Sequence, residues 1–327
     1  MRFFSFFLIS LTFVMHSCKP NNEKNYISIS NKALGTFYDI TYYDAENRDL
    51  QSDIDSVLND FSMSLSAYNP NSIISKINQN IDVEVNYYFT NVFERSKYFY
   101  DITDGVFDIS GSPLFSAWGF GFGNQENITT ELIDSLRQFV GMEKIDLQNG
   151  KITKSDARVN INANAIAKGY AVDVIADFLQ SKNVKNYLVS IGGEIVVAGK
   201  NKNNSNWKIG IDRPYDGNFN PGGDIMNTIE ITDKAIATSG NYRQFYVEND
   251  KKYAHTINPK TGYPVQHSLL SATVIADDCM SADAVATALM VIGVENAKIF
   301  LEKHPEYQVY LIYEEDGEYK EYSTYTK

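Results

Sequence analysis

The hydrophobic pattern of the first half of the chain changes between the period of strands and the period of helices. Residues 27–30 and 36–43 are β-prone and flank Gly35, which predicts a pair of strands. Apolar residues at 54, 57, 58 and 61 have the spacing of a helix over 53–63. The pattern also predicts helices over 72–77, 91–101, 131–140 and 165–179, and a structured loop rich in glycine and aromatic residues over 105–123.

The second half of the chain consists mainly of short segments with a β pattern. Predicted strands cover 187–191, 195–198, 207–211, 227–231, 234–238, 244–247, 253–257, 270–276 and 307–313, and a helix is predicted over 281–291. Many of these strands are close enough in sequence to be joined by hairpins, and no regular strand–helix–strand alternation dominates. We therefore predict an α+β fold of mixed layers rather than a doubly wound parallel sheet.

The first apolar run has the properties of an export signal. Arg2 precedes an almost wholly apolar stretch over 3–15, which is too short to span a bilayer but fits a signal peptide. The small residue Ser17 stands directly before Cys18, as at the end of a lipoprotein signal. We expect a lipoprotein signal over 1–17, lipidation of Cys18, a tether over 18–30 and a folded domain over 31–327. A plain secretory signal with an incidental cysteine is the alternative.

The net charge and the cysteine count bear on which partners the protein binds and on whether disulfide bonds stabilise it. The 327 residues carry a net charge of −12, and an acidic surface argues against a nucleic-acid partner. If Cys18 carries lipid, the other cysteine, Cys279, has no disulfide partner within the chain. The exported fold is then expected to depend on its core rather than on disulfides.

The segment from Asp277 to Ala288 carries the best candidate site. Ser281 is a suitable N-cap residue, and Asp283 and Thr287 are spaced so that they share one face of the predicted helix. A carboxylate and a hydroxyl are hard oxygen ligands, which suit magnesium. The alternative is an ordinary helix start, where an aspartate complements the helix dipole.

Three further segments carry candidate chemistry. Lys168 is predicted in the first turn of a helix that follows small residues, where backbone groups could hold a metal or a phosphate, or where the lysine is simply exposed. His255 ends a strand beside a Pro-Lys-Thr-Gly turn, which suits either a general base or a structural histidine. Gly192 and Gly193 follow a buried strand and precede Glu194, which indicates either a close backbone approach or a plain hairpin.

These segments belong to an ordered set of short motifs that runs from about Leu34 to Gly293. The motifs, in order, are Leu34-Gly35-Thr36, residues 66–72, Gly105-Val106-Phe107-Asp108, Trp118-Gly119-Phe120-Gly121, residues 165–173, Ile191-Gly192-Gly193-Glu194, Ala237-Thr238-Ser239-Gly240, residues 255–262 and residues 283–289. In this order they resemble the ApbE family, the FAD:protein FMN transferases.

The resemblance implies a fold with an FAD cleft between the sheet and the helices. It implies that the side chains of Asp283 and Thr287 and the Ala165 carbonyl hold Mg²⁺ on the FAD pyrophosphate. Two positions depart from the family pattern, since Leu34 often is Met and Asn162 often is Asp. The residues that it places along the FAD are Leu34, Tyr68, Trp118, Gly119, Phe120, Asn162 and Lys168.

The implied reaction transfers the FMN moiety of FAD to a Thr or Ser hydroxyl of a target flavoprotein and releases AMP. Asp283 and His255 are the candidate catalytic residues, with His255 as the base for the acceptor hydroxyl. The resemblance points to the flavin-acceptor subunit of a membrane redox complex, on the periplasmic face of a membrane. An FAD pyrophosphatase that yields FMN and AMP, and a non-catalytic FAD-binding lipoprotein, are the alternatives.

Overall fold

The centre of the molecule is an antiparallel sheet. The computed structural model describes residues 26–121, 126–218, 222–242, 245–248 and 251–326, so the predicted signal peptide and Cys18 lie outside the described residues. The eight strands of this sheet follow the order β1-β2-β5-β6-β9-β14-β15-β16 within the described residues. They are β1 (Tyr26–Ala33), β2 (Thr36–Tyr43), β5 (Asn186–Ile191), β6 (Glu194–Ala198), β9 (Lys234–Gly240), β14 (Leu269–Ala276), β15 (Gln308–Glu315) and β16 (Glu318–Ser323).

Helices cover one face of the sheet and bury the main core between the two layers. Tyr38, Ile40 and Tyr42 alternate inward along β2 in the way that a half-buried strand requires. The helices are α1 (Gln51–Leu65), α2 (Ile73–Asn78), α3 (Tyr87–Ile102), α4 (Ser112–Ala117), α5 (Thr130–Arg137), α6 (Ala167–Ser181) and α7 (Cys279–Lys303).

A hairpin of β7 (Trp207–Asp212) and β8 (Ile225–Ile231) packs on the opposite face of the sheet. Trp207, Ile209 and Ile229 form a second apolar cluster there with sheet residues such as Ile236. Three smaller hairpins complete the fold: β3 (Ile145–Gln148) with β4 (Lys151–Lys154), β10 (Phe245–Glu248) with β11 (Lys251–Ala254), and β12 (Ile257–Asn258) with β13 (Tyr263–Pro264). The predicted α+β fold of mixed layers is confirmed.

Several boundaries differ from the prediction for local reasons. β1 begins at Tyr26, so residues 26–30 of the expected tether form part of the sheet. The predicted loop over 105–123 contains α4, which has a proline in its first turn. The unpredicted hairpin β3–β4 turns at Asn149 and Gly150, both with positive φ, which is the conformation that an Asn-Gly pair favours in a two-residue hairpin.

Helix α7 starts earlier and ends later than predicted. Its N-cap is Asp278, whose carboxylate accepts a hydrogen bond from the Ser281 N–H at 2.7 Å, so the expected N-cap role of Ser281 is wrong. The helix is interrupted at Gly293, where φ is +76°. Among the described residues, α7 alone is long and apolar enough to cross a membrane, but 61% of its most apolar window is buried, as in the core helix of a globular domain.

Candidate active site

The first half of the site forms where α6 and α7 meet. A Cβ atom on Gly169 would lie 2.2 Å from the Cys279 carbonyl oxygen, so only glycine permits this approach. The Gly169 N–H donates to Asp283 Oδ2 at 3.0 Å. Asp283 is 4% exposed and is the fifth residue of α7, so it is a buried side chain between two helices rather than part of an exposed helix start.

The turn before α6 contains a backbone acceptor, the Ala165 carbonyl, that precedes the N-cap Ile166. Gly169 is the third residue of α6, so its N–H has no carbonyl partner within the helix. Here that N–H bonds Asp283, and no residue in the part of the chain that the structure describes donates to the Ala165 carbonyl. Thr287 lies one turn after Asp283, is half-buried and has its hydroxyl 3.4 Å from the Ser239 hydroxyl.

This donor set fits a hard divalent cation. A buried carboxylate, a free carbonyl and a threonine hydroxyl are the oxygen ligands that Mg²⁺ accepts, and Mg²⁺ normally keeps water or phosphate oxygens in its other positions. The described residues contain no cluster of three or more His, Cys, Asp or Glu side chains that could hold a metal. A magnesium site here would therefore need the oxygens of a bound substrate to complete it.

An ion pair of a half-buried lysine and a buried glutamate lies beside Asp283. Lys168, on the first turn of α6, donates a hydrogen bond to Glu194 Oε1 at the start of β6. Burial raises the pKa of Glu194 and of Asp283, although Lys168 opposes both shifts. Burial alone would lower the Lys168 pKa, but the charges of Glu194 and Asp283 together raise it. We call Ala165, Lys168, Gly169, Glu194, Asp283 and Thr287 the metal region.

A second group of candidate residues lies in a stack of rings. Trp118 stacks on Tyr253 with centroids 5.6 Å apart, Tyr253 stacks on Tyr246 at 5.2 Å, and Tyr246 stacks on Phe120 at 5.5 Å. The His255 ring lies edge-on to Phe120 at 6.4 Å. Offset and edge-on ring contacts of this kind add to the burial energy. We call these five residues the aromatic region.

The aromatic region ties a loop to the Pro-Lys-Thr-Gly turn. Trp118 is buried, and its Nε1 donates to the Gly262 carbonyl at 2.8 Å. Gly119 follows with a φ of +80°, which glycine adopts without strain and which lets the chain turn between Trp118 and Phe120. The structure thus brings His255 next to Phe120 and Trp118, which belong to a different sequence motif.

The remaining predicted FAD residues occupy two places. Leu34 and Gly35 form the turn between β1 and β2, and Leu34 has a φ of +52°. The Asn162 side chain accepts the Asn164 N–H at 2.9 Å, and Asn164 in turn lies 3.4 Å from the hydroxyl of the exposed Tyr68. Tyr68 and Asn162 therefore lie at the turn that presents the Ala165 carbonyl.

Two members of the metal region were not assigned a role by sequence reasoning. Glu194 was noted only as the end of a glycine hairpin, and the structure confirms that hairpin, with Gly192 and Gly193 both at positive φ. Gly169 stands inside a helix, where glycine costs about 1 kcal/mol relative to alanine. That cost was the available signal that another backbone approaches closely at Gly169.

A separate cavity of about 390 Å³ lies near the start of α7 but contains none of the predicted site residues. Its walls include Asn91, Tyr170 and Asp173. Asn91 donates to the Tyr170 hydroxyl, and the Asp173 carboxylate accepts the backbone N–H groups of Cys279 and Met280. These polar groups already have partners within the fold, so the cavity is not our candidate active site.

Comparison with known proteins identifies the family. The model of the ApbE family matches residues 34–311. The FAD:protein FMN transferases of Haemophilus influenzae and Vibrio cholerae are 33% and 32% identical, covering 95% and 97% of this chain and 93% and 95% of the relatives. The solved flavin transferase ApbE from Vibrio cholerae has a TM-score of 0.82 and 33% identity, covering 91% of this chain and 97% of that chain. The chain therefore belongs to the ApbE family.

Proposed function

We propose that this chain is an FAD:protein FMN transferase that moves the FMN moiety of FAD to a Thr or Ser hydroxyl of another protein. A hydroxyl oxygen of the acceptor bonds to the FMN-side phosphorus, the pyrophosphate bond breaks, and AMP leaves. The observation that carries the proposal is the Asp283 carboxylate, buried between α6 and α7 one turn before Thr287, in a chain of this family.

Ala165, Asp283 and Thr287 would hold a magnesium ion. Bound there, magnesium would neutralise the pyrophosphate charge and favour departure of AMP. Lys168 lies beside these residues and keeps its ammonium charged, which suits it to hold a phosphate of FAD. Leu34, Tyr68 and Asn162 would contact the rest of the FAD from the neighbouring turns.

His255 is the proposed base for the acceptor hydroxyl. Its ring is half-buried at the edge of the aromatic region, so one side is covered by Phe120. A neutral imidazole could take the hydroxyl proton as the oxygen bonds to phosphorus. The half-buried Phe120 offers an aromatic ring on which a flavin could stack, and the buried Trp118 supports the loop that carries it.

Intact-mass analysis tests the reaction directly. The purified protein would be incubated with FAD, Mg²⁺ and a candidate acceptor, and the acceptor should gain the mass of FMN less one water. An acceptor with its target Thr or Ser changed to Ala and a reaction in EDTA are the controls. Release of FMN and AMP with an unmodified acceptor would indicate a pyrophosphatase instead, and FAD binding without turnover would indicate a non-catalytic carrier.

We place the protein on the extracytoplasmic, periplasmic face of a membrane, anchored by lipid on Cys18. The support is the short apolar run that ends in Ser17-Cys18 and the start of β1 at Tyr26, which leaves a short polar link between them. The acceptor would then be a flavin-carrying subunit of a membrane redox complex. Cys18→Ala should release the protein from the membrane fraction, and unchanged membrane association would contradict the anchor.

A further inference from the structure

The ion pair of Lys168 and Glu194 has a geometry that a purely structural pair would not need. Glu194 is 3% exposed, and its Oε2 has no hydrogen-bond partner within the described residues. A buried carboxylate oxygen without a donor costs free energy, and buried ion pairs often contribute little net stability. Stability alone therefore does not explain why an ionisable residue begins β6.

Lys168 is guided toward Glu194 by the β5–β6 turn. A Cβ atom on Gly192 would lie 3.4 Å from Lys168 Cδ, so the lysine stem passes against this turn before its ammonium reaches Glu194. Within the described residues, Glu194 accepts the only hydrogen bond from this ammonium, which has three donors. The Lys168 side chain is 37% exposed, so this residue borders solvent, whereas Glu194 does not.

Asp283 is close enough to Lys168 for their charges to interact, but no hydrogen bond joins the two side chains in the described structure. An ammonium and a divalent cation compete for the same carboxylate, since both are attracted by its negative charge. An ammonium that moved onto Asp283 would occupy the oxygen that the cation needs. The position of Lys168 is thus a property on which metal binding depends.

We infer that Glu194 is a positioning residue of the metal region, which holds the Lys168 ammonium away from Asp283 and toward the phosphate side of the site. This inference rests on the proposed function, because it assumes a divalent cation on Asp283. In Glu194→Gln the ammonium keeps Asp283 as its nearest full negative charge and pairs with it. Cation affinity falls as a result, while the shape of the site is kept.

Manganese binding provides a measurement that does not depend on turnover. Metal-stripped protein with saturating FAD would be titrated with Mn²⁺, and free Mn²⁺ would be followed by electron paramagnetic resonance. The wild-type protein should bind Mn²⁺, and Asp283→Asn should lose this binding. Glu194→Gln should bind about tenfold more weakly, the scale of a coupling between neighbouring charged residues.

The double variant distinguishes two ways in which Glu194 could affect cation binding. One is the positioning of Lys168, and the other is direct attraction of the cation by the Glu194 charge. If Glu194 acts by placing Lys168, then Lys168→Met/Glu194→Gln should bind Mn²⁺ as Lys168→Met does. An equal loss on changing Glu194 in both backgrounds would overturn the inference, as would wild-type affinity in Glu194→Gln. If Glu194→Gln does not fold, Glu194→Ala replaces it in both backgrounds and is judged by the same outcomes. A wild-type protein that binds no Mn²⁺ would instead refute the metal site itself and the role of Glu194 with it.

Discussion

The metal region and the aromatic region are held in place by opposite kinds of interaction. In the metal region, Asp283 and Glu194 are buried carboxylates, and burial raises the pKa of each because it disfavours the charged form. In the aromatic region, Trp118 and its neighbours stack with centroid distances of 5.2–5.6 Å. Buried charge without a full set of partners lowers stability, whereas stacked rings add to it.

This difference shows where the fold gives up stability for chemistry. A raised carboxylate pKa in the folded state means that ionisation at neutral pH destabilises the fold. The metal region therefore holds charges that a bound cation would stabilise, and its residues are fixed by the close packing of α6 on α7. The aromatic region reaches its geometry through apolar contacts between a loop and the β10–β11 hairpin, so a polar group at its edge, His255, can change with little effect on the fold.

The largest expected effect separates activity from stability in the metal region. Asp283→Asn keeps an acceptor for the Gly169 N–H but removes the charge, so magnesium-dependent transfer should fall by about 10³-fold or more. Because the burial of a carboxylate is relieved, the metal-free variant should unfold in denaturant with at least the free energy of the wild type in EDTA. The exposed Asp177→Asn on α6 is a matched control that should keep full activity.

An Asp283→Asn variant that transfers FMN normally would remove the metal site from the proposal. A variant that loses several kcal/mol of stability would show that Asp283 is mainly structural. At an ordinary helix start, loss of an aspartate would cost about 1 kcal/mol through the cap and dipole. Because Asp283 is only 4% exposed, its effect on the free energy of unfolding depends instead on its hydrogen bond to Gly169 and on the cost of desolvating its charge.

The second effect concerns the edge of the aromatic region. His255→Asn should lower single-turnover FMN transfer by about 10²–10⁴-fold, the range for loss of a general base, with FAD affinity nearly unchanged. His304→Asn, at the end of α7, is the histidine control. Weakened FAD binding with a normal saturated rate would remove His255 from the mechanism.

The sequence predicted most elements because their periodicity is local. The strand pair around Gly35 and the helix over 53–63 needed only the pattern of apolar residues, and both are present as β1–β2 and α1. The β3–β4 hairpin was missed although Asn149-Gly150 is a strong turn signal, and α4 was missed because glycine and aromatic residues obscured its Ser-Pro start. These two misses were failures to use information that the sequence contains.

The arrangement of the site depends on contacts between segments that are distant in sequence, so it was harder to predict from the sequence than the secondary structure. Asp283 and Gly169 are 114 residues apart, and Lys168 and Glu194 are 26 apart, so no local pattern specifies either pair. The family motifs identified Asp283 and Lys168 individually. They did not indicate that Glu194 holds Lys168, because that contact depends on how the β5–β6 turn packs against α6.

The third effect tests the packing that fixes the metal region. Gly169→Ala would place its Cβ against the Cys279 backbone, which cannot move independently of α7, so unfolding free energy should fall by about 2 kcal/mol or more. Gly111→Ala is a useful control because its new Cβ meets mainly the ring of Phe115, which can rotate. Denaturant unfolding of both variants measures the difference. Equal small losses would show that α6 and α7 can separate without cost.

The fourth effect concerns the loop that precedes α4 and Trp118. Asp108 accepts hydrogen bonds from the Ser110 N–H and hydroxyl, and burial raises its pKa to about 6. Its contribution to stability is therefore present below about pH 4 and is lost as pH rises through about 6. Asp108→Asn keeps the acceptor, so its stability relative to wild type should increase by about 2 kcal/mol between pH 4.5 and 8. A difference that does not change with pH would contradict this role.

The smallest effect concerns Leu34, which the family motifs place on the FAD. Among the described residues, Leu34 is the only residue with positive φ that is not Gly, Asn or Asp. Such a backbone costs a leucine about 1 kcal/mol, and strain of this kind is often kept at functional sites. Leu34→Asn relieves the backbone strain, and we expect this gain to offset the loss of a half-buried apolar side chain. Its unfolding free energy should therefore not fall below that of the wild type. Its FAD affinity should fall, because the proposed contact with FAD is lost.

The reverse change in the β3–β4 turn is the control for Leu34. Asn149 has the same φ of +52° but has no proposed role in FAD binding or catalysis. Asn149→Leu should therefore lose about 1 kcal/mol of stability and leave FAD affinity unchanged. Denaturant unfolding and FAD titration on both variants give the comparison. If Leu34→Asn is clearly less stable and binds FAD normally, then Leu34 is retained for its packing against the core, and the strain at this turn has no connection with FAD.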